Sequence, residues 1–233
     1  MKKIAILILL TTITSITQAQ DINVLLNKAK AKIESVNDYE AAATMKTNVA
    51  FLKVPVAKVK IYFKKPNKLK LKSEKGVSFI PKGAVSLNLN NLTGSNKFTV
   101  IDAGNDKIGN TAVRVAKLLP TDDNSDVVLS TIYIDPATSL ILKAKTTTKD
   151  NGTYELSMTY GTYAAYGLPD KLTFSFNAKD YKLPKGITFD FDDGTAPPPA
   201  TTDALKGKKG KAELIFTSYI INKGVADTIF ASK

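Results

Sequence analysis

The stretch VAKVKIYFKKPNKLKLK, residues 56–72, constrains the fold more than any other part of the chain. Val59, Ile61 and Phe63 alternate with Lys58, Lys60, Tyr62 and Lys64. After a break at Pro66-Asn67, Leu69 and Leu71 alternate with Lys68, Lys70 and Lys72. Strand side chains switch faces at every residue, so this spacing predicts a β-hairpin with one apolar face and one face of six lysines. Such a hairpin belongs to a one-sided sheet whose apolar side is covered.

The N-terminus reads as an export signal. Met1-Lys2-Lys3 is a positive start, Ile4 to Leu10 is an uninterrupted apolar run, and Thr17-Gln18-Ala19 places small residues at a cleavage position. Residues 1–19 are therefore expected to be removed, with the mature chain starting at Gln20. The apolar run falls short of the roughly 20 residues that span a bilayer. With no cysteine in the chain there is no disulfide and no acylated N-terminal cysteine. The expectation is a soluble exported protein of the periplasm.

The formal charge is +12, and removing Lys2 and Lys3 with the leader leaves +10. Arg114 is the sole arginine. Readers of nucleic acid favour the arginine fork, so export and lysine dominance together argue against a nucleic-acid partner. Anionic headgroups, acidic partners or a plain solubilising coat fit better.

One helix is legible. Asp21 supplies a cap, and Ile22, Leu25, Leu26, Ala29, Ile33 and Val36 recur at helical spacing until Asn37-Asp38. Strands follow: Ala42–Phe51, the hairpin, GVSFIP (76–81), FTVIDA, TAVRVAKLLP, VVLSTIYIDP, LILKAKTTT, TYELSMTYGTYAAY, KLTFSFNA and KAELIFTSYIIN. Gly104-Asn105, Asp135-Pro136 and above all Asn151-Gly152 supply the turn chemistry between them. Residues 84–97 read as a short helix or loop. Residues 183–211, with Asp190, Asp192, Asp193 and the triple proline 197–199, read as a long flexible loop. The closing GVADTIF is expected to dock through Ile229 and Phe230. The mature chain, 20–233, thus reads as one antiparallel β domain.

Catalytic equipment is scarce. Histidine and cysteine are absent, and no glycine loop resembles a phosphate cradle. The carboxylates Asp122-Asp123 and Asp190/Asp192/Asp193 sit in turn-like runs, where general acids seldom work. The latter trio lacks the twelfth-position glutamate of a helix–loop–helix calcium site. No catalytic residue, metal or cofactor is expected.

The order of these features resembles the periplasmic lipoprotein-carrier (LolA-like) superfamily of outer-membrane lipoprotein sorting. The amphipathic helix is followed by a strand and then by Tyr62-Phe63-Lys64-Lys65-Pro66-Asn67-Lys68-Leu69-Lys70, similar to the family's basic-Pro-Asn hairpin. Gly76-Val77-Ser78-Phe79 matches its glycine-led strand, and Val115 to Pro120 its "apolar-x-Leu-x-Pro" strand end. Ile134-Asp135-Pro136-Ala137-Thr138 and the close Asn222 to Phe230 also follow the family order. Lys65 stands where the carriers often have arginine, and the 183–211 segment is extra.

The resemblance implies a mainly β (α+β) fold. This is a half-open, strongly curved antiparallel β-barrel, with an N-terminal helix and short helices closing the concave side. It implies a non-enzymatic periplasmic carrier whose apolar hollow holds lipid or lipoprotein acyl chains, with envelope membrane proteins or an anionic membrane surface as further partners. Some relatives are instead interaction or signalling modules that bind a protein partner on the curved sheet. Val59, Ile61, Phe63, Leu69, Leu71, Phe79 and Ile80 become candidate cavity wall, although their periodicity equally fits packed core. Lys60, Lys64, Lys65, Lys68 and Lys70 become candidates to face headgroups or a partner. Tyr154, Tyr160, Tyr163 and Tyr166 are candidates for a ligand rim or for ordinary packing.

Overall fold

The structure, a computed structural model, describes residues 21–48, 56–66, 68–73, 97–149, 152–177 and 209–231. The expected leader, strand 76–81, Phe79, Ile80 and the three aspartates at 190–193 lie outside these residues.

Helix α1 spans Ile22–Glu34, and the Asp21 carboxylate caps it by accepting the Asn23 N–H at 2.7 Å. Ile22, Leu25, Leu26 and Ala29 are buried on one stripe. The helix ends two residues short of its pattern, with Ser35 as C-cap; Val36 lies beyond it yet is buried. Asp38 does not merely stop the helix. It begins β1 (Asp38–Asn48), four residues ahead of the expected start, and Tyr39, Ala41, Ala43 and Met45 alternate into the core.

The remaining strands are β2 (Ala57–Lys64), β3 (Lys68–Ser73), β4 (Phe98–Ile108), β5 (Thr111–Pro120) and β6 (Val127–Asp135). They are followed by β7 (Leu140–Thr148), β8 (Thr153–Thr159), β9 (Lys171–Asn177) and β10 (Lys209–Ile221). All ten form one antiparallel sheet in the order β3-β2-β1-β10-β9-β8-β7-β6-β5-β4. The sheet curves without closing, and among the described residues β3 and β4 are its two edges. α1 lies on the concave face, against β5 and β6.

Three expectations about connections change. Gly104-Asn105 is not the hairpin turn: it sits in a bulge inside β4, with Gly104 at φ 81° and the register slipping between Asp102 and Asn105. The turn falls at Gly109-Asn110, with Gly109 at φ 58°. The run TYELSMTYGTYAAY is strand only to Thr159, and a 3-10 turn at Ala164–Tyr166 follows. Residues 209–211, expected in the loop, open β10, where Gly210 pairs with Phe176. The Asp135-Pro136 turn and the β7–β8 hairpin are found where the sequence places them.

Candidate functional site

The concave face is laid out in cross-strand rows. Ala212, Phe174, Leu156, Ala144, Ile132 and Ala116 follow one another from β10 to β5, and the row ends on Asp102 of β4. At the other end of the sheet, Leu71 pairs with Ile61 and Ile61 with Ala41, while Leu69 pairs with Phe63 and Phe63 with Tyr39. With Leu25, Leu26 and Ala29 of α1 these residues make one buried apolar cluster. The alanines keep the floor low where the helix approaches.

The predicted wall residues divide. Ile61 and Phe63, at 0% and 9% exposure, belong to the cluster with Val59, and Phe63 stacks on Tyr39 with ring centroids 5.3 Å apart. Leu69 and Leu71 on edge strand β3 are only half-buried against it. The opposite edge carries the counterpart that sequence reading missed. Phe98 and Val100 of β4 also pack half-buried on the cluster. The signal was present in the alternation of FTVIDA, whose apolar residues at 98 and 100 share a face.

An aromatic group stands where β1, β2 and β10 meet the 160–170 segment. Tyr219 contacts Tyr39, Tyr163 and Phe216 with centroids 5.5, 4.8 and 4.9 Å away. Its hydroxyl donates to the Pro169 carbonyl at 2.8 Å, and the Tyr160 hydroxyl to that of Ile141 at 2.7 Å. Burial pushes the phenols of Tyr39, Tyr160 and Tyr219 well above their ordinary range, so they stay neutral. Of the candidate rim, Tyr154 packs on Phe174 and Tyr163 on Tyr219, whereas Tyr166 is exposed; the four do not form one ring of contacts.

Polar groups on this face are few. Ser130 and Thr146 share a buried hydroxyl–hydroxyl bond of 2.9 Å. Arg114, also missed, forms an ion pair with Asp102 at the β4 edge, and its Nε is buried without a partner among the described residues. Among the described residues no three carboxylates converge.

The hairpin's lysines turn to the other face, and each candidate already has an acceptor within the molecule. Lys60 reaches Glu40 at 2.9 Å. Lys64 and Lys68 hold Asp227 at 3.1 and 2.8 Å, and their hydrogen bonds lower its carboxyl below the usual range. Lys65 donates to the Glu34 carbonyl at the C-terminal end of α1, and Lys70 to the Ala231 carbonyl at 2.8 Å. Tyr62 shares this face yet is 8% exposed, with the Lys72 ammonium 5.5 Å from its ring. The tail thus docks through Asp227 and buried Val225, while Ile229 and Phe230 are half-buried.

An unclosed, strongly curved antiparallel sheet with an apolar concave face and a capping N-terminal helix defines the LolA-like class of fold. Solved structures of that class match the chain over most of its length. A LolA superfamily protein of Nitrosomonas europaea has a TM-score of 0.56 at 11% identity, covering 90% of this chain and 97% of that one. A domain assigned to outer membrane lipoprotein sorting, from Vibrio parahaemolyticus, gives 0.53 at 13%, covering 89% and 94%. A DUF1329 family protein of Desulfovibrio piger gives 0.54 at 12%, covering 90% and 97%. No family model matches the chain, and no curated protein matches it by sequence. The chain has the LolA-like fold. Among the described residues no helix is long and apolar enough to cross a membrane.

Proposed function

We propose that this protein is a non-enzymatic periplasmic carrier that holds acyl chains of a lipid or lipoprotein against its concave face. One observation carries the reading: apolar side chains continuous with the core stay half-covered at both edges of the described sheet, Leu69 and Leu71 on β3 and Phe98 and Val100 on β4. Apolar surface left against water costs about 25 cal/mol per Å², and an acyl chain laid along it recovers that term. A neutral aromatic and aliphatic lining with few polar groups suits such cargo. Val59, Ile61 and Phe63 form the floor in this reading, Leu69 and Leu71 the accessible wall, with Phe79 and Ile80 its expected continuation. Lys60, Lys64, Lys65, Lys68 and Lys70 meet headgroups or an anionic membrane only by exchanging their present acceptors.

Native mass spectrometry of the chain recovered from an envelope fraction is expected to show bound lipid, and the delipidated protein is expected to take up a fluorescent fatty acid. Leu71→Asp should weaken uptake at least tenfold while leaving the urea midpoint within the range of surface variants. Phe63→Asp, in contrast, places a charge against Tyr39 inside the core and should unfold the chain. Absence of both copurified lipid and probe uptake refutes the carrier reading.

A further inference from the structure

The outer face of the sheet carries a second concavity, opposite the acyl-binding face and independent of that reading. It is an open groove of about 480 Å³ across β4 to β8, within the size range of small-ligand sites. Val115 and Leu129 are among its apolar lining residues. Lys117, Thr131 and Lys145 stand side by side over it in direct cross-strand register.

The lysines here depart from their neighbours. On the same face Lys143 pairs with Glu155 at 3.3 Å, and Lys171 and Lys211 pair with Glu213 at 2.8 and 2.9 Å. Lys145 lies opposite Glu155 in the ladder, but that carboxylate is taken by Lys143. Lys117 and Lys145 have no ion pair among the described residues. They stand two strands apart, about 10 Å, a separation that two flexible lysine side chains can close over one anion above Thr131. The remaining charge at the rim is Asp106, whose carboxylate accepts the Lys107 N–H at 2.7 Å.

Two neutral polar side chains of the lining make no internal hydrogen bond among the described residues, the hydroxyls of Thr131 and Tyr133, while Thr147 and Thr153 bond to each other at 2.9 Å. The Lys143 ammonium covers one side of the Tyr133 ring at 4.8 Å from its centroid. Two cations, two unengaged hydroxyls and the apolar side chains of Val115 and Leu129 are together what a carboxylated sugar needs. Its carboxylate takes charge-assisted bonds, its hydroxyls take neutral ones, and its C–H face rests on Val115 and Leu129.

We propose that this groove is a binding site for an acidic sugar, held by Lys117 and Lys145 through its carboxylate and by Thr131 and Tyr133 through its hydroxyls. The test is an amide-resolved NMR titration of isotope-labelled protein, expressed from Met1, with glucuronate, glucose and acetate. Glucuronate is expected to shift the amides around Val115, Thr131 and Lys145 at millimolar concentration, with glucose and acetate at least tenfold weaker. Lys117→Gln with Lys145→Gln should weaken glucuronate about tenfold or more, and Lys46→Gln on β1 should not change it. The proposal is overturned if glucuronate leaves these amides unmoved, if acetate binds as well as glucuronate, or if Lys46→Gln has the effect of the double variant.

Discussion

Glu213 is a point where the charge arrangement yields a signed, measurable energy. It lies on the outer face of β10, accepting from Lys171 at 2.8 Å and Lys211 at 2.9 Å. The hydrogen bond from Lys171, then that from Lys211, hold its carboxyl down at about 2 from an ordinary 4.5. The folded chain therefore binds this proton more weakly than the unfolded chain does, and unfolding takes up a proton in acid. The stabilisation is complete above about pH 4.5 and vanishes as pH falls to about 2. Its ceiling is about 3.4 kcal/mol, at about 1.4 kcal/mol for each tenfold change in acidity. The lysines are 42% and 49% exposed, so solvent screens them, and about 1 kcal/mol is the expected value. Urea unfolding of the wild type and Glu213→Gln, followed from pH 7 to pH 2, measures it. The two proteins should differ by about 1 kcal/mol at pH 7 and converge by pH 2, and 1 M salt should shrink the neutral-pH gap. A gap that is the same at both ends of the range, or a more stable Glu213→Gln at pH 7, refutes the reasoning.

Leu25→Ala removes a fully buried side chain between helix and sheet, and should cost about 3 kcal/mol in urea unfolding. Gly210→Ala drives a methyl into the Phe176 ring on the neighbouring strand, and should cost about 1–3 kcal/mol by the same assay. Asp227→Asn weakens the grip of Lys64 and Lys68 on the tail. Hydrogen exchange at 225–231 should accelerate while the global midpoint stays, and high salt should produce the same local change in the wild type.

The alternation of apolar and polar residues made most of this architecture readable. It placed α1, the β2–β3 hairpin and strands β5 to β9, because each buries one face and the period reports which. Connections were less legible for a local reason. Gly104-Asn105 and Gly109-Asn110 are both Gly-Asn steps, and each glycine sits at positive φ. Only pairing with β5 decides that the first is a bulge and the second a turn. Lys209 to Lys211 looked like loop because lysine and glycine have weak strand preference. They are strand because β9 offers a ladder and Phe176 needs a neighbour without a side chain.

The candidate site was half legible, and the missing half follows from what periodicity measures. It reports a residue's face but not its distance from a free edge. Ile61 and Leu71 have the same pattern and even pair with each other, yet one is fully enclosed and the other half-covered, because among the described residues β2 has neighbours on both sides and β3 on one. The order of strands in the sheet, which puts β4 at the far edge, turns Phe98 and Val100 into counterparts of Leu69 and Leu71. The lysines fail in the opposite direction. Six on one face look like a free cationic surface when read locally, but Lys68 meets Asp227 from 159 residues away, and Lys70 meets Ala231 from 161. Lys117 and Lys145, which no pattern singled out, are left without ion-pair partners among the described residues. Among the described residues, charge without an ion pair thus lies over the outer groove as well as at Lys58 of the hairpin.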